Sequence, residues 1–510
     1  MSQSIRITVY VLLWVAVVLP LATSQQWGDD IRIPDQQGEA MRPDICTDSN
    51  DNIHIVWSVD HSYLVCYTRS TDGGATWADE TTIFSDQAII SSICADDFGN
   101  IHVVCLKYHN GDNQTFYKRS TDQGVTWENE VPLGLSSSEA VPRICSDSEG
   151  NLHLAFSRRE SVDKKRASKS RMYYKRSSDG GTNWENEILI DENDSSLMYP
   201  VFCTGPSNDL HLAWANESEG IYHTKSTDGG LTWGAITTVV SFYFSIMPKP
   251  DICTDSAGNI HLVGGTFTTN CDVVYRRSTD NGITWEDGLF SPQTAGDNWS
   301  GYICVDPLHN VHVVWSNTDG NTTGLYHNIS EDGGTTWGTD TLLSNTKSGY
   351  FLPICADSNG NLHLAWDVSL SGDWDIYYKK GIQRQNPVVD VKCNGEDTGV
   401  VVTKGDNCVL TFNIEARDYP NQRCDIWLIG SSSATQRYYS FGNYSSPDWR
   451  LGVGNVYSTG PLQDCFGTML DRPLPIGSYT VYGILDYRAN GKLNVPAFWV
   501  QDEVDFTVVE

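Results

Sequence analysis

Positive charge is scarce in this sequence: 34 Lys and Arg stand against 64 Asp and Glu, a formal net charge of −30. That balance excludes nucleic acid as a partner, because the phosphate backbone needs a basic footprint. Long apolar runs are also missing once the first 25 residues are passed. No later segment approaches the roughly 20 apolar residues of a membrane-spanning helix, so no span is expected in the mature chain. The end of the chain, VDFTVVE, reads as a strand and carries no sorting or lipid-anchor signal. What is abundant is Gly, Ser, Thr, Asn and Asp, which favours many short strands joined by polar turns. The length, 510 residues, allows two to four ordinary domains.

The amino terminus differs from the rest. Arg6 precedes an apolar run from Ile7 to Leu21, and Ala22, Thr23 and Ser24 offer small residues for cleavage before Gln25. Residues 1–24 therefore read as a secretory signal peptide, and the mature protein is expected outside the cell or at its surface. Seven N-x-S/T sequons follow, at Asn113, Asn193, Asn216, Asn298, Asn321, Asn328 and Asn443. They matter only in a host that glycosylates exported chains.

Two motifs recur. RSTDGGATW (69–77) returns at 119–127, 176–184, 225–233, 277–285 and 329–337, and DICTDSNDNIHIVW (44–57) has six later counterparts. The second motif sets histidines at 54, 102, 153, 211, 261, 312 and 363, spaced by 48 to 58 residues, so there are seven units. Each unit holds a strand with an Ile-Cys-like pair, a polar turn, an alternating strand, a variable loop, a third strand, the Asp-rich turn and a fourth strand. Four strands in about 50 residues is the size of one propeller blade. The seventh unit stops after its third strand, and WGDDIRIP (27–34) resembles the fourth strands WADETTIF and WENEILID. The ring is thus expected to close through the amino terminus, hiding strand edges that would invite aggregation.

In the Asp-rich turn, a short carboxylate can accept backbone hydrogen bonds just ahead of it, and glycine supplies conformations other residues avoid. The terminal Trp would lie against its own sheet or the neighbouring blade. Full burial of an indole removes roughly 150–250 Å² from water, on the order of 4–6 kcal/mol as an upper bound. The pattern S-x-D-x-G-x-T-W resembles the Asp box, or BNR repeat, of sialidase-like propellers, over residues 25 to about 384. In that superfamily the boxes sit away from the active site. The resemblance therefore implies a structural role for Asp72, Asp122, Asp179, Asp228, Asp280 and Asp332. The seven histidines recur once per blade in a wide ring, whereas zinc needs ligands converging within about 2.3 Å; they read as buried, hydrogen-bonded residues, and no metal or cofactor is expected. Cys46, Cys94, Cys145, Cys203, Cys253, Cys304 and Cys355 likewise read as small apolar core residues. The DSNDN stretch (48–52) lacks the closing Glu of a calcium loop and reads as a hairpin turn.

Function is expected where the units differ. The segments entering the first strand of each blade supply Arg42, Arg143 and Lys249, with Tyr199, Tyr243, Trp299, Tyr302, Tyr350 and Phe351, plus Glu39 and Glu139. Cations among aromatics in so acidic a protein suit an anionic sugar or another carboxylate. The insertion SRRESVDKKRASKSR (157–171) holds seven of the 34 basic residues and reads either as a lure for acidic ligands or as a solvated loop. Sialidases, as a family, use three arginines, a Tyr–Glu pair, an Asp acid/base and an early R-I-P motif on six blades. Here Arg32-Ile33-Pro34 matches in letters but falls in the expected closing strand, the third cation is Lys249, and the units number seven. Lys cannot make the bidentate carboxylate contact of Arg. The preferred expectation is recognition of a glycan or extracellular protein through the loop face. A glycoside hydrolase or lyase acting on acidic sugars, and a structural surface or matrix role, are the alternatives.

After residue 384 the repeat ceases. Residues 385–510 carry alternating strands that suggest an immunoglobulin-like β-sandwich. Its cysteines, Cys393, Cys408, Cys424 and Cys465, allow three pairings; sequence proximity favours Cys393–Cys408 and Cys424–Cys465, each bridge contributing roughly 2–4 kcal/mol. The fold expected is all-β throughout: a seven-bladed propeller followed by a sandwich.

Overall fold

A computed structural model of the chain describes residues 25–34, 38–109, 112–135, 142–161, 168–241, 249–267, 271–287, 290, 292–294, 296–318, 323–346, 351–370 and 373–383 of the repeat region. Beyond it, the backbone of residues 388–393, 400–403, 409–415, 423–432, 437–450, 455–461, 477–486 and 499–509 is described. Every regular element among the described residues is a strand. The chain divides into two units, one spanning Gln25–Gln383 and one containing Arg384–Glu510.

The first unit is a seven-bladed β-propeller. In the first blade, β3 (Ala40–Thr47), β4 (Ile53–Val59), β5 (Leu64–Ser70) and β6 (Thr81–Phe84) form an antiparallel meander after the short β1 (Gln26–Trp27) and β2 (Ile31–Arg32). Six further sheets repeat that order; the fifth has three strands among the described residues, extended by a bridge between Arg277 and Glu286. In the seventh, the strand Asp373–Ile382 pairs with β1 and β2, setting Trp27 opposite Gly381 and Ile31 opposite Tyr378. Arg32 lies on this outer edge, 2.6 Å from Asp375, and so does not enter the axis.

Among the described residues the core of this unit forms seven clusters, one at each interface between blades. That between the seventh and first blades joins Ile33, Ala365, Ile376 and Tyr378 to Ile45, Ile53, Ile55 and Trp57. Successive residues of the innermost strand point to opposite faces of its sheet. Ile45 therefore packs toward blade seven, while Cys46 packs toward blade two. The ring of seven cysteines is correspondingly only partly a core feature: Cys304 is buried and the other six are half-buried.

Each Asp-rich turn is a closed hydrogen-bonded unit. Ser70 Oγ donates to Asp72 Oδ1 at 2.8 Å and accepts from the Gly74 amide, and Asp72 Oδ1 accepts from the Thr76 amide at 2.8 Å. Hydrogen bonds led by the Thr hydroxyl hold the carboxyls of Asp72, Asp122, Asp228 and Asp280 at about 2. The same bonding pattern recurs at Asp179 and Asp332. The Trp meets the preceding blade rather than its own: Trp127 stands edge-on to Tyr67 at 5.1 Å, and Trp77 to Tyr378 at 4.9 Å. Trp27 meets His327 in the same way at 5.2 Å. The turns are also tied forward, as when Arg277 Nη1 donates to Gly333 O in the next blade.

The histidines occupy buried relays. His54 Nδ1 lies 2.7 Å from Tyr67 OH, and Nε2 lies 3.3 Å from Asp48 Oδ2, whose other oxygen accepts the amides of Asn50 and Asn52 in the hairpin turn. Blade four departs from this plan. Gly205 replaces the Asp, and His211 pairs with His223 at 3.1 Å. Three sequons are also unsuited to carry a glycan, because Asn216, Asn298 and Asn328 are buried and hydrogen-bonded.

The second unit contains two sheets. One joins Val388–Cys393, Val409–Glu415 and Asn455–Pro461; the other has the order Val400–Thr403, Trp499–Val509, Gly477–Asp486, Arg423–Ser432, Arg437–Arg450. The bridges expected of Cys393, Cys408, Cys424 and Cys465 fall on side chains outside the described residues.

Candidate functional site at the axial mouth

The site follows from two positions of the innermost strand, counted back from its cysteine. The residue two before Cys is Asp44, Ser92, Arg143, Val201, Asp251, Tyr302 and Pro353 in successive blades. The residue four before is Arg42, Ile90, Val141, Tyr199, Lys249, Ser300 and Phe351. Between these levels the ladder slips by one residue in blades one, two, four and six. Such a bulge bends the strand and re-aims a side chain. In three of these blades the residue four before Cys adopts a left-handed backbone: φ is 57° at Arg42, 48° at Ile90 and 52° at Tyr199. That region is unfavourable for bulky side chains and for the β-branched Ile90 above all. The repeat thus tolerates strain to aim this level differently from the strand below it.

The deeper level is an ion-paired ring. Arg143 Nη1 donates to Asp44 Oδ2 at 2.9 Å, and the same oxygen accepts the Ile93 amide of blade two at 3.0 Å. Asp251 Oδ2 accepts the Ile303 amide of blade six in the same fashion at 3.0 Å. These carboxylates therefore tie adjacent blades while facing the axis. Tyr302 is buried there with Arg143, Asp251, Asp44 and Asp367 around it. Burial pushes the Asp251 carboxyl up to about 6, against the opposing pull of the Ile303 amide and Arg143.

The upper level holds Lys249, which reaches across to its neighbours. Its Nζ is 3.6 Å from the centre of the Phe351 ring and 5.4 Å from that of Tyr199. Burial lowers the ammonium to about 7; Asp367 opposes that shift, while Arg42 and Arg143 reinforce it. Asp367 Oδ2 in turn accepts the Arg42 amide at 3.1 Å. Arg42, Arg143 and Lys249 are thus within electrostatic reach of one another, from blades one, three and five.

Of the residues singled out from sequence, Arg42, Arg143, Lys249, Tyr199, Tyr302 and Phe351 meet at this mouth. Tyr302 does so as a buried wall. Trp299 belongs to the same inner strand, but its indole donates to Thr318 Oγ1 at 3.0 Å. Glu139, Tyr243 and Tyr350 lie outside the described residues. Among the described residues of the basic insertion in blade three, Arg158 pairs with Glu187, and Lys169 and Arg171 both pair with Glu192; Lys164, Lys165 and Arg166 lie outside the described residues. Sequence reasoning missed the three carboxylates Asp44, Asp251 and Asp367. Reading the repeats as columns would have found them, since each is a charge where most other blades have none. One trio of potential metal ligands, Glu39, Asp60 and His61, occurs among the described residues, with His61 exposed and 3.6 Å from Glu39.

No family model matches the sequence, and no protein of curated function matches it. Solved structures are similar to it at low identity. An ulvan lyase, representing a new polysaccharide lyase family, is 14% identical, covering 68% of this chain and 95% of its own, with a TM-score of 0.47. A Dyadobacter fermentans protein of unknown function is 13% identical, over 71% of this chain and 99% of its own, with a TM-score of 0.46. The Hadza microbial sialidase Hz136 is 16% identical, over 67% of this chain and 65% of its own, with a TM-score of 0.43.

Proposed function

We propose that this is an exported glycan-recognition protein that binds an acidic sugar at the axial mouth of its propeller. The observation that carries this reading is the meeting of Arg42, Arg143 and Lys249 beside the rings of Tyr199 and Phe351. Aromatic faces suit the apolar side of a sugar, and the cations suit its carboxylate. Each cation already has a carboxylate of the protein nearby, so a ligand anion exchanges one partner for another instead of filling a bare positive patch. The Asp-rich turns act in this reading as Asp boxes, purely structural. Export rests on Arg6 and the apolar run after it, and residues 385–510 serve as an immunoglobulin-like spacer.

A second reading is catalytic, as a hydrolase or lyase on acidic sugars. It draws on Asp251 at about 6 and Lys249 at about 7, an acid and a base both poised near neutrality in one mouth. A glycan array followed by turnover assays on fluorogenic sialosides and uronides separates the two. Recognition predicts retention of acidic glycans without turnover, and at least tenfold weaker binding by Lys249→Met. Turnover lost in Lys249→Met and Asp251→Asn would move the assignment to the enzyme. An array on which no acidic glycan is retained, or a Lys249→Met protein that binds unchanged, would dispose of the recognition reading.

A further inference from the structure

One residue of the mouth does more than its place in the repeat requires. Asp367 stands four residues after the blade histidine, where the other blades carry Ser58, Leu106, Ser157, Ala215, Gly265 and Ser316. The backbone task at this position is visible in blade one: Ser58 Oγ accepts the amide of the strained Ile90 in the next blade at 2.8 Å. Asp367 does the same for the strained Arg42, through Oδ2 alone. A serine would suffice. The carboxylate adds a second oxygen, Oδ1, that is buried and has no hydrogen-bond partner, in a residue only 3% exposed. Leaving such an acceptor unsatisfied is destabilising, the more so when it is charged. The charges acting on this carboxylate are Lys249 and Arg42, and Tyr302 lies within its electrostatic reach.

We propose that Asp367 contacts the ligand, its Oδ1 taking a hydrogen bond from a hydroxyl or amide N–H of the sugar, so that the mouth selects sugar acids bearing such a donor near their carboxylate. This rests on the acidic-sugar reading above and narrows it. A carboxylate aimed at the ligand repels an anion that brings no donor, and it rewards one that does. A site built to hydrogen-bond a ligand group rejects the analogue lacking that group, because the buried acceptor is then left unpaired. The cations hold the ligand's charge, and Asp367 reads the group beside it.

The experiment compares glucuronate, N-acetylneuraminate and cyclohexanecarboxylate, which has the charge but no donor, by calorimetry on the full chain. The native protein is expected to prefer the two sugar acids by tenfold or more. Asp367→Ser keeps the amide cap as Ser58 does, and should reduce that preference to within about twofold while still binding cyclohexanecarboxylate. The ratio cancels any change in the charge of Lys249, which would affect all three anions alike. Should the serine variant melt early, Asp367→Thr offers the same cap with a side chain better suited to a strand, and the same loss is expected. A natively folded Asp367→Ser or Asp367→Thr protein with an undiminished preference overturns the inference and leaves the acidic-sugar reading standing. A native protein that binds none of the three anions, nor any acidic glycan on the array, overturns both.

Discussion

The two ends of the propeller use the same repeat in opposite ways. β5 ends at Ser70, level with Ile53 and Thr47, so the Asp-rich turns gather at one end of the strands, while Arg42 lies near the Val59 end of the sheet. At the turn end each of the six Asp-rich turns satisfies itself locally: Ser bonds Asp, Asp bonds a Thr or, in blade three, Asn183, and the Trp meets the previous blade. At the mouth the same backbone scaffold holds unlike side chains, and charges are matched only between blades, as Arg143 of blade three is by Asp44 of blade one. Uniformity stabilises the ring, and departure from it marks the site. Charge that closes within one turn has no need of a ligand, whereas charge that closes across the axis can exchange partners with one.

If that division holds, changes at the turn end should affect stability and leave binding alone. The largest effect is expected for Gly124→Ala. Gly124 has φ of 83°, and an added Cβ would lie 1.8 Å from Tyr67 OH, the group that holds His54. Strain and overpacking act together, so a loss of about 3 kcal/mol is expected in denaturant titration, with glycan affinity unchanged. A Gly124→Ala protein as stable as the native one would break the comparison.

Blade four sharpens it, because its relay lacks the carboxylate found elsewhere. Burial lowers His211 to about 4 and His223 to about 3, so both are neutral in the folded state. The unfolded chain titrates near 6.5 and takes up protons first as pH falls. Stability is therefore intact above about pH 6.5 and declines toward pH 4, with His211 alone accounting for about 2 kcal/mol at pH 5. The carboxylates held at about 2, such as Asp48, Asp147 and Asp255, act only at lower pH, below the ordinary carboxylate range. His223→Tyr supplies the partner used by blade one and should flatten the decline in denaturation midpoint between pH 6.5 and 4.5. An unchanged slope would show that the acid sensitivity lies elsewhere.

Much of this architecture was legible because it repeats. Seven copies of one spacing define the blades, and the Asp, Gly and Trp of each turn carry their own local chemistry. What escaped was any property that depends on register across the axis. Asp44 and Asp251 look like ordinary members of the DIC motif until the closed ring sets them near Arg143 and against the amides of the next blade. Asp367 looks like a strand residue until its serine counterpart, Ser58, exposes the surplus oxygen. Lys249, by contrast, stands out in sequence as the cation where the resemblance calls for a third arginine. Its lowered ammonium depends on burial beside Arg42 and Arg143, which no local pattern announces.

The smallest effect is also the most direct test of the mouth. Between pH 7.5 and 5.5 Lys249, at about 7, gains a proton and Asp251, at about 6, loses its charge. Asp367, also raised by burial, moves in the same direction as Asp251; Arg143 stays charged, its guanidinium held up by Asp44, and Tyr302 stays neutral because burial pushes its phenol far above the physiological range. Each of these changes makes the mouth more positive. Affinity for an acidic sugar should therefore rise by about tenfold over that interval, a gain of about 1.4 kcal/mol, while a neutral sugar of the same shape shows no trend. Lys249→Met should flatten the upper part of the profile, near pH 7. Asp251→Asn keeps an oxygen for the Ile303 amide, and should flatten the lower part and strengthen binding at neutral pH. An affinity that falls on acidification would mean that ligands meet the carboxylates of the ring before its cations, and the division between a self-satisfied turn end and an exchangeable mouth would have to be redrawn around Asp44, Asp251 and Asp367.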